Sequence, residues 1–429
     1  MIFKFKVLFH LVSFKVLKFI FKNKIHVLQS IRWKKLKKNL SNSSFYNIAL
    51  KSNLALKEYP LMNKEKFMSN FDSLNTKGIT LYEANKVALK AEKERDFSPT
   101  INNITIGLSS GTSGNRGVFL ASENERAKWV ATILDRVIGF SLRKRKVAFF
   151  LRANSNLYES VKSKLLVFRF FDLLIPLESH LKKLNLLQPN ILVAQPSLLM
   201  QLAKEKQLGN LSISPNKIIS IAEVLYPEDN NYLEKIFQQK IHQVYQCTEG
   251  FLAHTCSKGT LHFNEDFLII EKKYVDRKKE RYHPIITDLM RTSQPVIRYE
   301  LNDIILDNKT CLCGLKTIAI KRIEGRSDDI LCFEDKNKKI VKIFPDFIRR
   351  AIITSNEEIN NYYLTQNNLD TLSLYIEGSN EMFTKAKNEI LNLLAKKNIQ
   401  NVKVNRLKSY KLIPGEKLRR IKNEIRKKN

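Results

Sequence analysis

From Ile104 onward the sequence alternates short apolar runs with amphipathic segments, and this alternation limits the folds open to it. VAFFL (147–151), RFFDLLIP (169–176), NILVAQP (190–196) and KIISIAEVL (217–225) have the length and apolarity of buried strands. LKKLNLL (181–187) and PSLLMQLAKEKQ (196–207) lie between them with helical spacing. Strand–helix alternation of this kind argues an α/β layer around a largely parallel sheet. After Glu249 the chain reads as β-rich through Ile323. Residues 327–429 then read as two strands, a helix (345–353), a strand (370–377), a helix (381–397) and a strand (402–407), a small α+β domain. Its expected boundary is the charged turn Glu324-Gly-Arg-Ser-Asp-Asp329.

Residues 41–98 read as helical. Asn63 or Lys64 opens one helix, and Thr80-Leu-Tyr-Glu83 has capping-box form before a run that ends by Pro99. Residues 1–40 hold eleven basic residues and no acidic one, with Lys4, Lys15, Lys18 and Lys22 set among apolar residues at helical spacing. Two readings follow: a basic amphipathic helix lying on a membrane surface, or a helix packing its apolar face on the body. A signal peptide fits poorly, because lysines interrupt the apolar stretch and no small-residue cleavage site follows. No apolar run reaches about 18 residues, so no ordinary transmembrane helix is expected. The expected organisation is an N-terminal extension (1–40), a large domain (41–325) and a small domain (326–429).

The formal net charge is +32. Such an excess ordinarily raises nucleic acid or an anionic membrane as partner. About half of it sits at the two chain ends. The rest is a diffuse lysine bias, so it does not point to nucleic acid. Five scattered cysteines make no disulfide framework, and a cytoplasmic location is expected, with membrane association through residues 1–40 as the addition.

Glycine is scarce, with 13 in the chain, yet Gly107, Gly111, Gly114 and Gly117 fall in one short segment, T-I-G-L-S-S-G-T-S-G-N-R-G. Small hydroxyl residues and glycine leave backbone N–H groups free to surround a phosphate, and Arg116 adds a cation. The spacing matches neither a Walker A loop nor a Rossmann fingerprint. Four weaker clusters follow: V-Y-Q-C-T-E-G (244–250), P-V-I-R-Y-E-L-N-D (295–303), I-E-G-R-S-D-D-I (323–330) and I-P-G-E-K-L-R-R (413–420). A carboxylate beside a hydroxyl and an aromatic suits Mg²⁺, phosphate and a base. A carboxylate at a strand end, such as Asp303, suits vicinal hydroxyls. Each cluster alone reads equally as a surface turn.

Their order resembles that of the adenylate-forming superfamily of acyl-CoA synthetases and adenylation domains. S-S-G-T-S-G and C-x-C-G look most like the branch of phenylacetate–CoA ligase and coenzyme F-390 synthetase. F-F-L-R-A-N-S-N-L-Y, I-A-E-V-L, Y-Q-C-T-E-G-F-L-A and T-D-L-M-R-T-S-Q-P-V-I-R-Y-E-L-N-D look like a clade of adenylate-forming enzymes beside F-390 synthetase. The resemblance runs from about residue 45 to the C-terminus. It implies an α/β fold, a large N-terminal adenylate-forming domain with mixed and parallel sheets plus a small, mobile α+β domain. It also implies roles. The loop Ser109, Ser110, Gly111, Thr112, Ser113, Gly114, Arg116 and Gly117 would hold the ATP phosphates. Ala222 and Glu223 would lie near adenine and Tyr245 would stack on it. Thr248 would touch phosphate and Glu249 would hold Mg²⁺. Asp303 would bind the ribose, Arg326 the ribose or phosphate, Asp328 would be the hinge, and Lys417 the catalytic lysine. Lys417 follows Gly415-Glu416 rather than a glycine directly, a departure from the commoner pattern, and Arg419 and Arg420 stand close by.

Cys311-x-Cys313-Gly, with Cys256 and His262 upstream, offers three thiols and an imidazole, a donor set for tetrahedral Zn²⁺; the alternative is a group of buried free thiols. The branch resembled carries such a site. His254 is a substitute ligand on this reading, and Cys247 and Cys332 have no obvious partner.

The resemblance implies an ATP-dependent ligase that activates a carboxylate as acyl-AMP, with a thiol (CoA or a carrier protein) or an amine as acceptor. The first alternative moves AMP to a hydroxyl of a small molecule, as in F-390 synthetase. The second is a non-catalytic basic protein that binds membrane or nucleic acid.

Overall fold

A computed structural model describes residues 2–109, 116–139, 141, 143–151, 166–276, 281–308, 311–356, 358–359, 361–410 and 418–425. Two compact units divide the chain: Met1–Leu301 with Leu306–Arg322, and Asn302–Ile305 with Ile323–Asn429.

The first unit opens with two helices, α1 (Ile2–Ile20) and α2 (Ile25–Asn39). Short helices follow: α3 (Asn47–Lys51), α4 (Lys64–Ser69) and α5 (Phe71–Leu74). The Asn63 side chain caps α4 by accepting from Lys66 N at 2.9 Å. Helix α6 (Leu81–Glu94) starts on the expected box: Glu83 N donates to Thr80 Oγ1, and Thr80 N donates to Glu83 Oε2. Its buried face is Ala84, Ala88 and Ala91, which lets it lie close to a small antiparallel sheet of β1 (Thr100–Ile101), β2 (Ile104–Leu108) and β3 (Val118–Ala121).

After α7 (Glu123–Ile133) come five parallel strands, β4 (Arg145–Leu151), β5 (Leu166–Asp172), β6 (Ile191–Ala194), β7 (Lys217–Ser220) and β8 (Ile241–Cys247), ordered β5-β4-β6-β7-β8. Helices α8 (Glu178–Leu187), α9 (Pro196–Gln207) and α10 (Pro227–Phe237) connect the later strands. One core of Ala148, Phe150, Leu192, Leu199, Ile218 and Leu233 joins strands to helices. Two strands differ from the sequence reading. β5 covers 166–172, because Asp172 turns the chain by accepting from Leu174 N at 3.0 Å. β7 stops at Ser220, because Ala222 takes a left-handed φ of 68°.

The sheet continues with antiparallel β9 (Gly250–Thr255) and β10 (Leu261–Phe263), then β11 (Leu268–Asp276), β12 (Arg281–Asp288), β13 (Val296–Glu300), β14 (Asp303–Asn308) and β15 (Ala319–Arg326). The mixed α/β class read from the sequence is therefore observed.

The second unit holds a hairpin, β16 (Leu331–Glu334) with β17 (Ile340–Ile343), and a sheet ordered β20-β19-β18-β21. Its strands are β18 (Tyr362–Asn368), β19 (Thr371–Ile376), β20 (Lys403–Arg406) and β21 (Ile421–Asn423). Helices α11 (Pro345–Ser355) and α12 (Asn380–Ala395) pack together, with Ile348, Ile352, Leu372, Leu374, Ala386 and Ile390 in the core.

Candidate active site

The glycine-rich loop connects β2 to β3, and its base is closed on both sides. Ser109 N donates to Gly117 O at 2.8 Å, and Gly117 N donates to Ser109 Oγ at 2.7 Å. Gly107 has a packing reason. It lies opposite Phe119 in the β2–β3 pair, and a Cβ there would stand 2.2 Å from the Phe119 ring. Arg116 donates from Nε to Ser109 O at 2.9 Å, and its two terminal nitrogens grip the Glu92 carboxylate on α6 at 2.6 Å each. Its charge thus has a bidentate partner within the unit and braces the base of the loop. Ser110, Gly111, Thr112, Ser113 and Gly114 lie outside the described residues.

Thr248 and Glu249 occupy the tight turn between β8 and β9, with Thr248 Oγ1 donating to Glu249 Oε2 at 3.1 Å. Gly250 follows, and a Cβ there would lie 3.0 Å from Asp288 Oδ2. Gly117, Thr248 and Glu249 share an open cleft of about 270 Å³ with Lys64, Arg291 and Tyr299. Arg291 ties the two sides together. Its Nη1 donates to Thr248 O at 2.6 Å and its Nη2 to Gln294 Oε1 at 2.9 Å. Gln294 in turn accepts from Leu120 N at 3.1 Å and donates to Val118 O at 3.1 Å. The exit of the glycine loop and the Thr248–Glu249 turn are therefore held on one hydrogen-bonded frame.

Glu125 supports that frame from α7. Its carboxylate accepts from Ser293 Oγ at 2.6 Å, Ser293 N at 2.8 Å and Ser122 N at 2.7 Å. Burial opposes its charge, but the hydrogen bonds from Ser293 and then Ser122 outweigh it and hold the carboxyl below its ordinary range. Arg291, Gln294 and Glu125 carry no role in the sequence reading. Arg291 and Gln294 stand inside the resembled stretch T-D-L-M-R-T-S-Q-P without a role of their own, and the signal for Glu125 was Ser122-x-x-Glu125, a second capping box.

Asp288 behaves oppositely. It is buried, and burial pushes it up to about 6, although Met290 N donates to it at 2.8 Å. A folded value above the unfolded one, about 3.9, means its stabilising contribution is complete below about pH 4 and is lost as pH rises through about 6. Asp288→Asn should therefore gain stability over the parent as pH rises from 4 to 7.5, by up to about 3 kcal/mol. Thermal melts of both proteins across that range check this; a gap independent of pH contradicts it.

Tyr245 is buried on β8, its ring 6.4 Å from that of Phe263. Ala222 is the left-handed residue after β7, and Glu223 accepts from Ser197 N at 3.1 Å and Ser197 Oγ at 3.0 Å at the start of α9. This is a non-glycine backbone strain of the kind that collects at ligand sites.

In the second unit, Asp303 Oδ1 lies 3.9 Å from Arg326 Nε, and Asp328 accepts from Asn302 Nδ2 at 3.0 Å. Ser327 N donates to Asn302 O at 2.7 Å, so the two segments that form this corner are tied. Lys417 lies outside the described residues, as do Gly415 and Glu416. Its neighbours have partners: Arg419 pairs with Asp329, and the Arg420 guanidinium lies 5.0 Å from the Tyr362 ring centroid.

The four sulfur and nitrogen donors come together in the first unit, all ligand atoms within 4.8 Å of one another. Cys256 Sγ is 3.7 Å from Cys311 Sγ, and Cys313 Sγ is 3.4 Å from His262 Nε2. His262 Nδ1–H donates to Thr317 O at 3.1 Å, which leaves the Nε2 lone pair aimed at the thiols, the tautomer a metal needs. Hydrogen bonds from Thr260 and then His262 bring Cys311 down to about 6, while burial pushes Cys313 up to about 11. Thiols gathered this closely do not all ionise by themselves; a divalent cation relieves that. His254 stands apart: it is bonded to Asn264 at 2.7 Å, and burial plus the Arg136 charge pull it down to about 3.

No family model matches the sequence. Indoleacetate–lysine synthetase of Pseudomonas savastanoi is 26% identical over 234 residues, 51% of this chain and 57% of its own length. The chain thus matches less than two thirds of that relative. A 2-hydroxyisobutyryl-CoA ligase, solved in the postadenylation state, superposes with a TM-score of 0.67 at 14% identity, over 93% of this chain and 90% of that one. The chain has the fold of the adenylate-forming ligases. The amide bond synthetase McbA of Marinactinospora thermotolerans shares it more loosely, with a TM-score of 0.53 at 11% identity over 76% of this chain and 69% of its own.

Proposed function

We propose that the protein is an ATP-dependent adenylate-forming ligase that converts a carboxylate to acyl-AMP, releases pyrophosphate and passes the acyl group to a thiol or an amine. The observation that carries this reading is the frame through Arg291 and Gln294, which joins the exit of the glycine loop to the Thr248–Glu249 turn across one cleft. Backbone N–H groups of a loop with a fixed base suit phosphate oxygens. Glu249 and Thr248 offer hard oxygen donors on that cleft and fit Mg²⁺, which when bound supplies charge neutralisation at phosphate. The carboxylate oxygen attacks the α-phosphorus, and the bond from that phosphorus to pyrophosphate breaks. Lys417 would stabilise the charge that develops there, Asp303 would take the ribose hydroxyls with Arg326 beside it, and Ala222, Glu223 and Tyr245 would border adenine. Asp328 would be the hinge on which a mobile C-terminal domain turns. Both acceptor classes have support: the relatives include a CoA ligase and proteins named for joining amines.

The cluster of Cys256, His262, Cys311 and Cys313 is assigned to one structural Zn²⁺, because three thiols and a correctly oriented imidazole fit no other common cation as well.

Pyrophosphate release over a panel of carboxylic acids, with hydroxylamine as trap, tests the reading. Acid-dependent release with hydroxamate formation supports it. Release dependent on a hydroxyl compound, with no hydroxamate, would mean AMP transfer instead. Asp303→Ala should raise the KM for ATP about tenfold, since ribose contacts exist already in the ground state. An unchanged KM removes Asp303 from the ribose site.

A further inference from the structure

Helix α1 is apolar on two opposite faces, and only one of them is covered. The inner face buries Val7, Leu11 and Phe14 along α7. Polar contacts fix it there: Lys6 Nζ donates to Glu123 at 2.7 Å, His10 bonds Asn124 at 2.8 Å, and Arg126 lies over the Phe3 ring at 5.7 Å. The outer face carries Ile2, Phe5, Phe9, Val12, Val16 and Phe19, between 49% and 84% exposed. Their spacing alternates three and four residues, so at 3.6 residues per turn they form one continuous stripe about 26 Å long. Six large apolar side chains in a row on a surface mark a site that something covers.

Charge selects what covers it. Lys4 and Lys15 project along one edge of this stripe at 100° per residue, and Lys22 continues that edge just past the helix, whereas Lys18 turns to the inner side, where its charge acts on Asp266. Residues 1–40 contain no acidic residue. A second copy of α1 laid on the stripe would set lysines against lysines with no carboxylate in either helix to offset them. An anionic bilayer surface satisfies both halves: acyl chains take the aromatic stripe and headgroups take the lysines. No helix among the described residues is long and apolar enough to cross a membrane, so an α1 docked on lipid would lie in the interface rather than through it.

We propose that α1 docks the protein on anionic membranes through Ile2, Phe5, Phe9, Val12, Val16 and Phe19, while its opposite face holds the helix to α7.

The test is co-sedimentation of the full chain with vesicles of phosphatidylcholine plus phosphatidylserine, against phosphatidylcholine alone. The parent should pellet with the mixed vesicles and be released by salt. Phe5→Ser/Phe9→Ser/Phe19→Ser should weaken binding at least about tenfold with an unchanged melting temperature, because all three side chains already face solvent. Lys4→Ser/Lys15→Ser/Lys22→Ser should weaken binding to the mixed vesicles about tenfold. A parent protein that stays in the supernatant, or variants that pellet like the parent, would overturn the proposal. So would a dimer in light scattering that the phenylalanine variant converts to monomer, which would make the stripe an interface between copies.

Discussion

Lys417→Ala should slow adenylate formation by about two to three orders of magnitude while ATP still binds. The reaction gathers negative charge as a carboxylate approaches a phosphorus that already carries anionic oxygens. A cation realised mainly in the transition state affects the rate far more than the affinity. The neighbouring cations offer no ready substitute, because Arg419 is paired with Asp329 and Arg420 lies on the Tyr362 ring. Moving either would expose a buried carboxylate or a buried ring. Single-turnover pyrophosphate release, with ATP binding measured separately by calorimetry, checks the expectation. A folded variant with the parent rate would remove Lys417 from the chemistry and return attention to the two arginines.

The second large effect concerns the thiol cluster. Cys313→Ser should take the zinc content from about one per chain to below about 0.2 and lower the melting temperature by roughly 10 °C. The four donors come from a turn after β9, from β10 and from the loop between β14 and β15, so one ion would close three separate segments. A closed four-ligand site leaves no open position, so activity should fall only as the fold does. Metal analysis of the freshly purified parent decides first. Less than about 0.2 zinc per chain would mean three ordinary thiols and an imidazole. Loss of zinc in Cys313→Ser without a change in melting would deny the ion its structural part.

Much of the architecture was legible because it depends on local patterning. Buried parallel strands such as β4 and β6 need uninterrupted apolar residues, and capping boxes are written within four residues, as at Thr80–Glu83. β18 was not read. Its Gln366 is fully buried, yet polar, because it exchanges hydrogen bonds with the Cys332 backbone at 2.9 and 2.6 Å across to β16. That partner lies 34 residues away and leaves no periodic trace. β21 is three residues long and its apolar signal is a single Ile421.

The site shows the same division. Clustered glycines and the C-x-C-G turn announce themselves, since few other uses exist for them. The frame that holds the cleft does not. Arg291 and Gln294 look like ordinary polar residues in a turn until folding brings them to Thr248 and Leu120. Arg116 reads as a phosphate ligand from its place in the loop, and only the fold reveals Glu92 beside it. Gly107 and Gly250 likewise owe part of their place to Phe119 and Asp288 rather than to a ligand.

The central claim is that a carboxylate oxygen of the substrate bonds to the α-phosphorus of ATP. It is tested most directly with an acid that supports pyrophosphate release, labelled with oxygen-18 in its carboxyl group and turned over with its thiol or amine acceptor. Attack by the carboxylate makes that oxygen the bridge of acyl-AMP, and cleavage of its bond to the carbonyl carbon leaves it on AMP. Mass spectrometry of the released AMP should therefore find one oxygen-18 per turnover. Unlabelled AMP, or AMP retained on a hydroxyl of the product, would contradict the account.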